Sequence, residues 1–221
     1  MKDNGCKVKI CGITNREDAI QAIEAGADML GFNFYPPSPR YITPDTCREL
    51  IKALEGQNLT AVYVGVFVNA SSEEIAHILN QCGLDLAQLS GDEPPEFLFD
   101  LKEKAFKGLH PKSMNEAIEL SQEYAMGNTI PALLVDAHQV GAYGGTGRLA
   151  NWEIARVIAE KYPVLLAGGL HPANVARALD EVRPWGVDVA SGVEANPGKK
   201  DPLLVRDFIR VVKNIDQEVT L

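Results

Sequence analysis

Short apolar runs rich in β-branched residues alternate along the chain with longer stretches in which apolar side chains recur every three or four positions. The first pattern fits strands buried on both faces, the second amphipathic helices. Strands are predicted at 7–11 (KVKIC), 29–34 (MLGFNF), 60–68 (TAVYVGVFV), 84–89 (LDLAQL), 105–109 (AFKGL, the weakest), 131–137 (PALLVDA), 163–169 (PVLLAGG) and 186–191 (GVDVAS). A helical pattern follows each strand: REDAIQAIEAG, DTCRELIKALE, SSEEIAHILNQCG, PPEFLFDLKEK, SMNEAIELSQEYA, NWEIARVIAEK, PANVARALDEV and DPLLVRDFIRVVKN. The third opens with a serine followed three residues later by glutamate, a capping box. Gly26, Gly56, Gly83 and Gly127 fall where helices should stop.

Strict strand–helix alternation implies a parallel sheet. Eight such units in 221 residues, with no linker-like break, predict one α/β domain over 1–221, a (βα)8 barrel. An open doubly wound sheet is the alternative, although it usually has fewer strands. In a barrel the active site lies at the C-terminal ends of the strands, so position becomes a guide to chemistry.

Composition narrows the function classes. Hydrophobic residues make up 46% and charged residues 23%, as in ordinary globular proteins. The formal net charge of −9 argues against a nucleic-acid or anionic-membrane surface. MKDNGCKVK does not resemble a secretory leader, and no apolar run is long enough for a bilayer span, so a cytoplasmic location is expected. The cysteines are Cys6, Cys11, Cys47 and Cys82, without a CxxC pair. Cys47 and Cys82 fall in helical patterns and read as small buried hydrophobes. His77, His110, His138 and His171 give no metal-ligand spacing, so no metal is expected.

The strand ends carry the candidate chemistry. Strand one delivers Cys11 to a turn, where it could be packing or, with a depressed pKa, a base or nucleophile. Strand two runs into a proline-stiffened loop ending in Arg40, either a solvated charge or a fork for a ligand carboxylate. Strand six ends in Asp136, a structural acceptor or a catalytic acid. The loop after it carries GGTG, including Gly145, and reads as a lid with glycine hinges or a plain surface loop. Strand seven ends in Gly168-Gly169 and strand eight in Ser191-Gly192. Turns at these two places commonly bind phosphate in barrels, through backbone N–H groups and a helix N-terminus. A thiol and a carboxyl on one mouth could form a base–acid pair on a phosphate-anchored substrate.

Taken in order, these segments resemble the phosphoribosylanthranilate isomerase family. The matching stretches are KICGIT (9–14), GFNFYPPSPRYI (31–42), GVFVN (65–69), LSGDE (89–93), LLVDA (133–137), YGGTG (143–147), LAGGLHPANV (166–175) and ASGVE (190–194). The resemblance implies a cofactor-free Amadori rearrangement of N-(5-phosphoribosyl)anthranilate to the 1-deoxyribulose 5-phosphate isomer in tryptophan biosynthesis. It implies Cys11 as general base, Asp136 as general acid, Arg40 for the anthranilate carboxylate and GGTG as the mobile loop. Gly169 and the Ser191–Gly192 turn match the phosphate site. Ser90 stands where the family usually has histidine. The expected partner is a phosphorylated small molecule, with the chain a monomer or homodimer. The rival readings are a non-catalytic sugar-phosphate-binding barrel and a related phosphosugar isomerase. The second typically needs a carboxylate where this chain has Cys11.

Overall fold

A computed structural model describes residues 5–126, 128–137 and 147–218. Eight parallel strands close into a barrel in chain order, with β1 (Lys7–Cys11) pairing both β2 (Met29–Asn33) and β8 (Gly186–Val189). Between them lie β3 (Val62–Phe67), β4 (Leu86–Leu89), β5 (Ala105–Leu109), β6 (Leu133–Asp136) and β7 (Val164–Ala167). The connecting helices are α1 (Arg16–Glu24), α2 (Pro44–Glu55), α3 (Ser72–Cys82), α4 (Glu96–Asp100), α5 (Met114–Tyr124), α6 (Gly147–Ala159), α7 (Val175–Val182) and α8 (Pro202–Glu218).

The expected (βα)8 barrel is therefore the observed fold. Strand alternation sorts its two cores. Residues such as Val8, Ile10, Leu30, Leu133, Leu166 and Val187 face outward and pack with Leu54, Ile75, Ala155 and Phe208 from the helices. Met29, Val64, Phe106, Leu134, Leu165 and Ala167 fill the barrel interior. Helix starts follow capping chemistry: the side chains of Asn15, Thr43, Ser71 and Ser113 accept backbone N–H bonds in the first turns of α1, α2, α3 and α5.

Several boundaries differ from expectation, three of them for a local reason. The fourth helix, predicted over 94–104, has only five residues. Lys102 and Glu103 adopt positive φ (53° and 60°), which turns the chain abruptly into β5. Strand β7 stops at Ala167 because Gly168 and Gly169 take φ of 97° and 65°, outside the extended region. Strand β8 stops at Val189. The chain then forms a 3-10 turn (Ser191–Val193) and a small antiparallel pair, β9 (Glu194–Asn196) and β10 (Lys199–Lys200), before α8.

Candidate active site

The C-terminal mouth is built around a charged seam between β1 and β8. Lys9 stands opposite Asp188 in the register of these strands, and its Nζ lies 2.7 Å from Asp188 Oδ1. It also donates to Gln88 Oε1 on β4 at 2.9 Å, and Gln88 Nε2 donates to Ser90 Oγ at 3.1 Å. Lys9 has no solvent exposure. Burial weighs against its ammonium, but Asp188 and Cys11 together favour it, and the net shift of the Lys9 pKa is upward.

Cys11 lies two residues further along β1, on the same face of the strand, and is 9% exposed. Burial pushes its thiol pKa up. Lys9 pulls it back, Asp188 pushes it further up, and Lys200 pulls it down; the balance is upward. The depressed thiol pKa expected of a base is thus not what this arrangement gives Cys11.

Arg40 is set by the proline-rich loop after β2. Ser38 N–H donates to Tyr35 O at 2.9 Å and Tyr41 N–H to Ser38 O at 3.1 Å, two tight turns that return the chain to β2. Ile42 N–H then bonds Asn33 O at 3.0 Å. Arg40 is not a solvated charge. Its Nε and Nη2 donate to Glu194 Oε1 and Oε2 at 2.8 and 2.7 Å, a side-on bidentate pair that raises the guanidinium pKa. Lys200 Nζ also reaches Glu194 Oε1 at 3.0 Å, and Ala190 O at 3.1 Å. Burial disfavours the Glu194 carboxylate, but hydrogen bonds from Arg40 and Lys200 prevail and hold its pKa below the ordinary range. Burial leaves Lys200 with a lowered pKa despite Glu194.

Asp136 ends β6, with Oδ2 3.8 Å from His110 Nδ1 at the end of β5. The turns after β7 and β8 come together. A Cβ on Gly192 would strike the Leu170 carbonyl oxygen and lie 3.1 Å from His171 Cβ, so only glycine permits this approach. Asn174, at the start of α7, locks the first turn by accepting from His171 N–H (2.8 Å) and donating to Gly169 O (2.9 Å). Ser191 is exposed beside them. Gly145 and the rest of the glycine-rich stretch at 138–146 lie outside the described residues. Among the described residues, no group of three or more His, Cys, Asp or Glu side chains could hold a metal.

Lys9, Asp188, Glu194 and Lys200 were not singled out from sequence. A signal existed for the first two: opposite charges sit mid-strand in KVKIC and GVDV, where a doubly buried sheet demands partners. Glu194 and Lys200 follow a strand end without any periodic pattern.

A closed barrel with a thiol, a carboxylate, a guanidinium and two glycine turns at its C-terminal rim is that of a (βα)8-barrel enzyme. The family model for N-(5'-phosphoribosyl)anthranilate (PRA) isomerase matches residues 8–211. The N-(5'-phosphoribosyl)anthranilate isomerase of Pelobacter propionicus is 45% identical over 214 residues, covering 97% of this chain and 99% of that protein. The crystal structure of phosphoribosyl anthranilate isomerase from Thermotoga maritima superposes with a TM-score of 0.81 at 37% identity, covering 95% of this chain and 99% of that one. A PRA isomerase solved in complex with reduced 1-(o-carboxyphenylamino)-1-deoxyribulose 5-phosphate matches with a TM-score of 0.79 at 35% identity over 95% of this chain and 99% of that one. The chain belongs to the PRA isomerase family, and neither rival reading is favoured.

Proposed function

We propose that Cys11 and Asp136 are the base and acid of the Amadori rearrangement that defines this isomerase family. The reading rests on one observation above all: a thiol at the end of β1 and a carboxyl at the end of β6 share the barrel mouth with a two-turn glycine cradle. The Asp136 carboxyl donates a proton to the ribose ring oxygen, and the C1′–O bond breaks to leave a protonated imine. The Cys11 thiolate then removes the C2′ proton, giving an enolamine that tautomerises to the aminoketone. Substrate phosphate docks against Gly168, Gly169, Ser191 and Gly192, with Gly145 from the loop after β6 covering it. Arg40 reads the anthranilate carboxylate. Glu194 holds the Nε–Nη2 edge of its guanidinium, which orients the Nη1–Nη2 edge as a second fork. In the same reading the chain works as one barrel domain without a cofactor. It is a monomer or homodimer in the cytoplasm.

The test is fluorescence-monitored consumption of N-(5-phosphoribosyl)anthranilate by the purified protein and by Cys11→Ala and Asp136→Asn. Each substitution is expected to lower turnover at least ~100-fold, the scale of acid–base contributions, with the fold intact by circular dichroism. Near-normal turnover in either variant would remove that residue from its role.

A further inference from the structure

Cys11 poses a problem that the base–acid pair does not solve. Its thiol is buried and pushed toward the neutral form, yet a base must be a thiolate. The charged groups around it are Lys9 on its own strand, Asp188 on β8, Lys200 on β10 and Arg40 in the loop after β2; Glu194 on β9 engages the last two. Lys9 is distinguished by how firmly it is held. Its ammonium is bonded to Asp188 and Gln88 and fully enclosed, so it cannot swing away.

The neighbouring strand makes room for it. Gly31 on β2 stands opposite Cys11 in register. A Cβ there would lie 2.8 Å from Cys11 Sγ and 3.1 Å from Lys9 Nζ. The ammonium and the sulfur therefore flank the space a side chain would occupy, and glycine lets them approach.

We propose that Lys9 is a positioning residue for Cys11: fixed by Asp188 and Gln88 and admitted by Gly31, its ammonium faces the sulfur and stabilises the thiolate on which catalysis depends. This rests on the proposed role of Cys11 as base. Among the neighbours that favour the thiolate, Lys9 exerts the strongest pull. Because Asp188 pushes the other way, loss of the Lys9 charge exposes the sulfur to an uncompensated carboxylate.

The experiment titrates Cys11 directly in the full chain. Iodoacetamide alkylation of the Cys11-containing peptide is followed by mass spectrometry across pH, alongside the pH profile of kcat/KM. In Lys9→Gln, which keeps hydrogen-bonding groups but no charge, the alkylation midpoint is expected to rise by about one pH unit or more, and the acid limb of kcat/KM to move with it. Gly31→Ala leaves every charge in place but wedges a methyl group between sulfur and ammonium; its midpoint is expected to rise as well. An unchanged midpoint in folded Lys9→Gln overturns the proposal, as does an unchanged midpoint in Gly31→Ala should Lys9→Gln fail to fold. Alkylation is read whether or not the protein turns over substrate. A shifted midpoint in a protein inactive on phosphoribosylanthranilate would overturn the proposed function and leave the Lys9–Cys11 pairing standing.

Discussion

Replacing Glu194 with glutamine tests whether the rim of the mouth is held by charge. Glu194 is 4% exposed by side chain and neutralises two cations at once: Lys200, 1% exposed, and Arg40, 23% exposed. Glutamine keeps the shape but removes the charge. Lys200 is then a buried ammonium whose remaining bond among the described residues is to Ala190 O. Breaking a buried pair in this way costs about 3–5 kcal/mol. The low end applies because Arg40 can turn toward water, so we expect a loss of about 3 kcal/mol. For a chain of this size that lowers Tm by about 6–12 °C. Adding Lys200→Met should restore most of the loss, because the cation left without its carboxylate is then Arg40, which can turn toward water, rather than a buried ammonium. Glu194 has a lowered pKa, so its contribution is present above the ordinary glutamate pKa of about 4.3 and is lost as pH falls through the folded value. The gap between wild type and Glu194→Gln should therefore narrow in acid. Denaturant unfolding across pH reads all three. A loss under about 0.5 kcal/mol at neutral pH, the scale of an ordinary surface change, or a gap that widens in acid, would refute the reasoning.

Arg40→Ala is expected mainly to raise KM for the phosphoribosyl substrate, and an unchanged KM in steady-state kinetics would remove its binding role. Gly192→Ala drives a methyl group into the Leu170 carbonyl and should force apart the turns after β7 and β8, proposed to hold phosphate, raising KM at least ~10-fold at a cost of about 1–3 kcal/mol in stability; kinetics at saturating and limiting substrate separates this from a loss of kcat. Lys107→Met removes the counter-charge of the buried Glu93 carboxylate, which Lys107 Nζ meets at 2.7 Å while also bonding Gly91 O and Glu93 O, and leaves that carboxylate the backbone N–H groups of Asn69 and Gly91. Unfolding in urea should show a loss of about 3–5 kcal/mol, and a stability within ~0.5 kcal/mol of wild type would mean the pair contributes nothing.

The barrel was legible because burial on both faces forces each strand into a continuous apolar run, and even the short AFKGL run coincides with β5. Cys11, Arg40 and Asp136 were legible as candidates because strand ends convert sequence position into a place on the rim. The partners that charge the site were not. Lys9 and Asp188 are separated by 179 residues, and only strand register places them face to face. Glu194 and Lys200 sit in strands of three and two residues, too short for any alternation to show. The premature end of α4 depends on two left-handed residues, Lys102 and Glu103, that have no glycine or asparagine to announce them.

The seam between β1 and β8 also has a kinetic meaning. Thr14 Oγ1 donates to Gly198 O across 184 residues of chain, and Lys200 N–H to Asp18 Oδ2 across 182. Contacts of such sequence separation carry the largest loop-closure cost and form slowly. Cys11, Lys9, Arg40 and Glu194 all depend on that seam. Any state in which the ring is still open therefore lacks the site, however complete its helices, and the return of catalysis during refolding would report closure of the ring rather than formation of secondary structure.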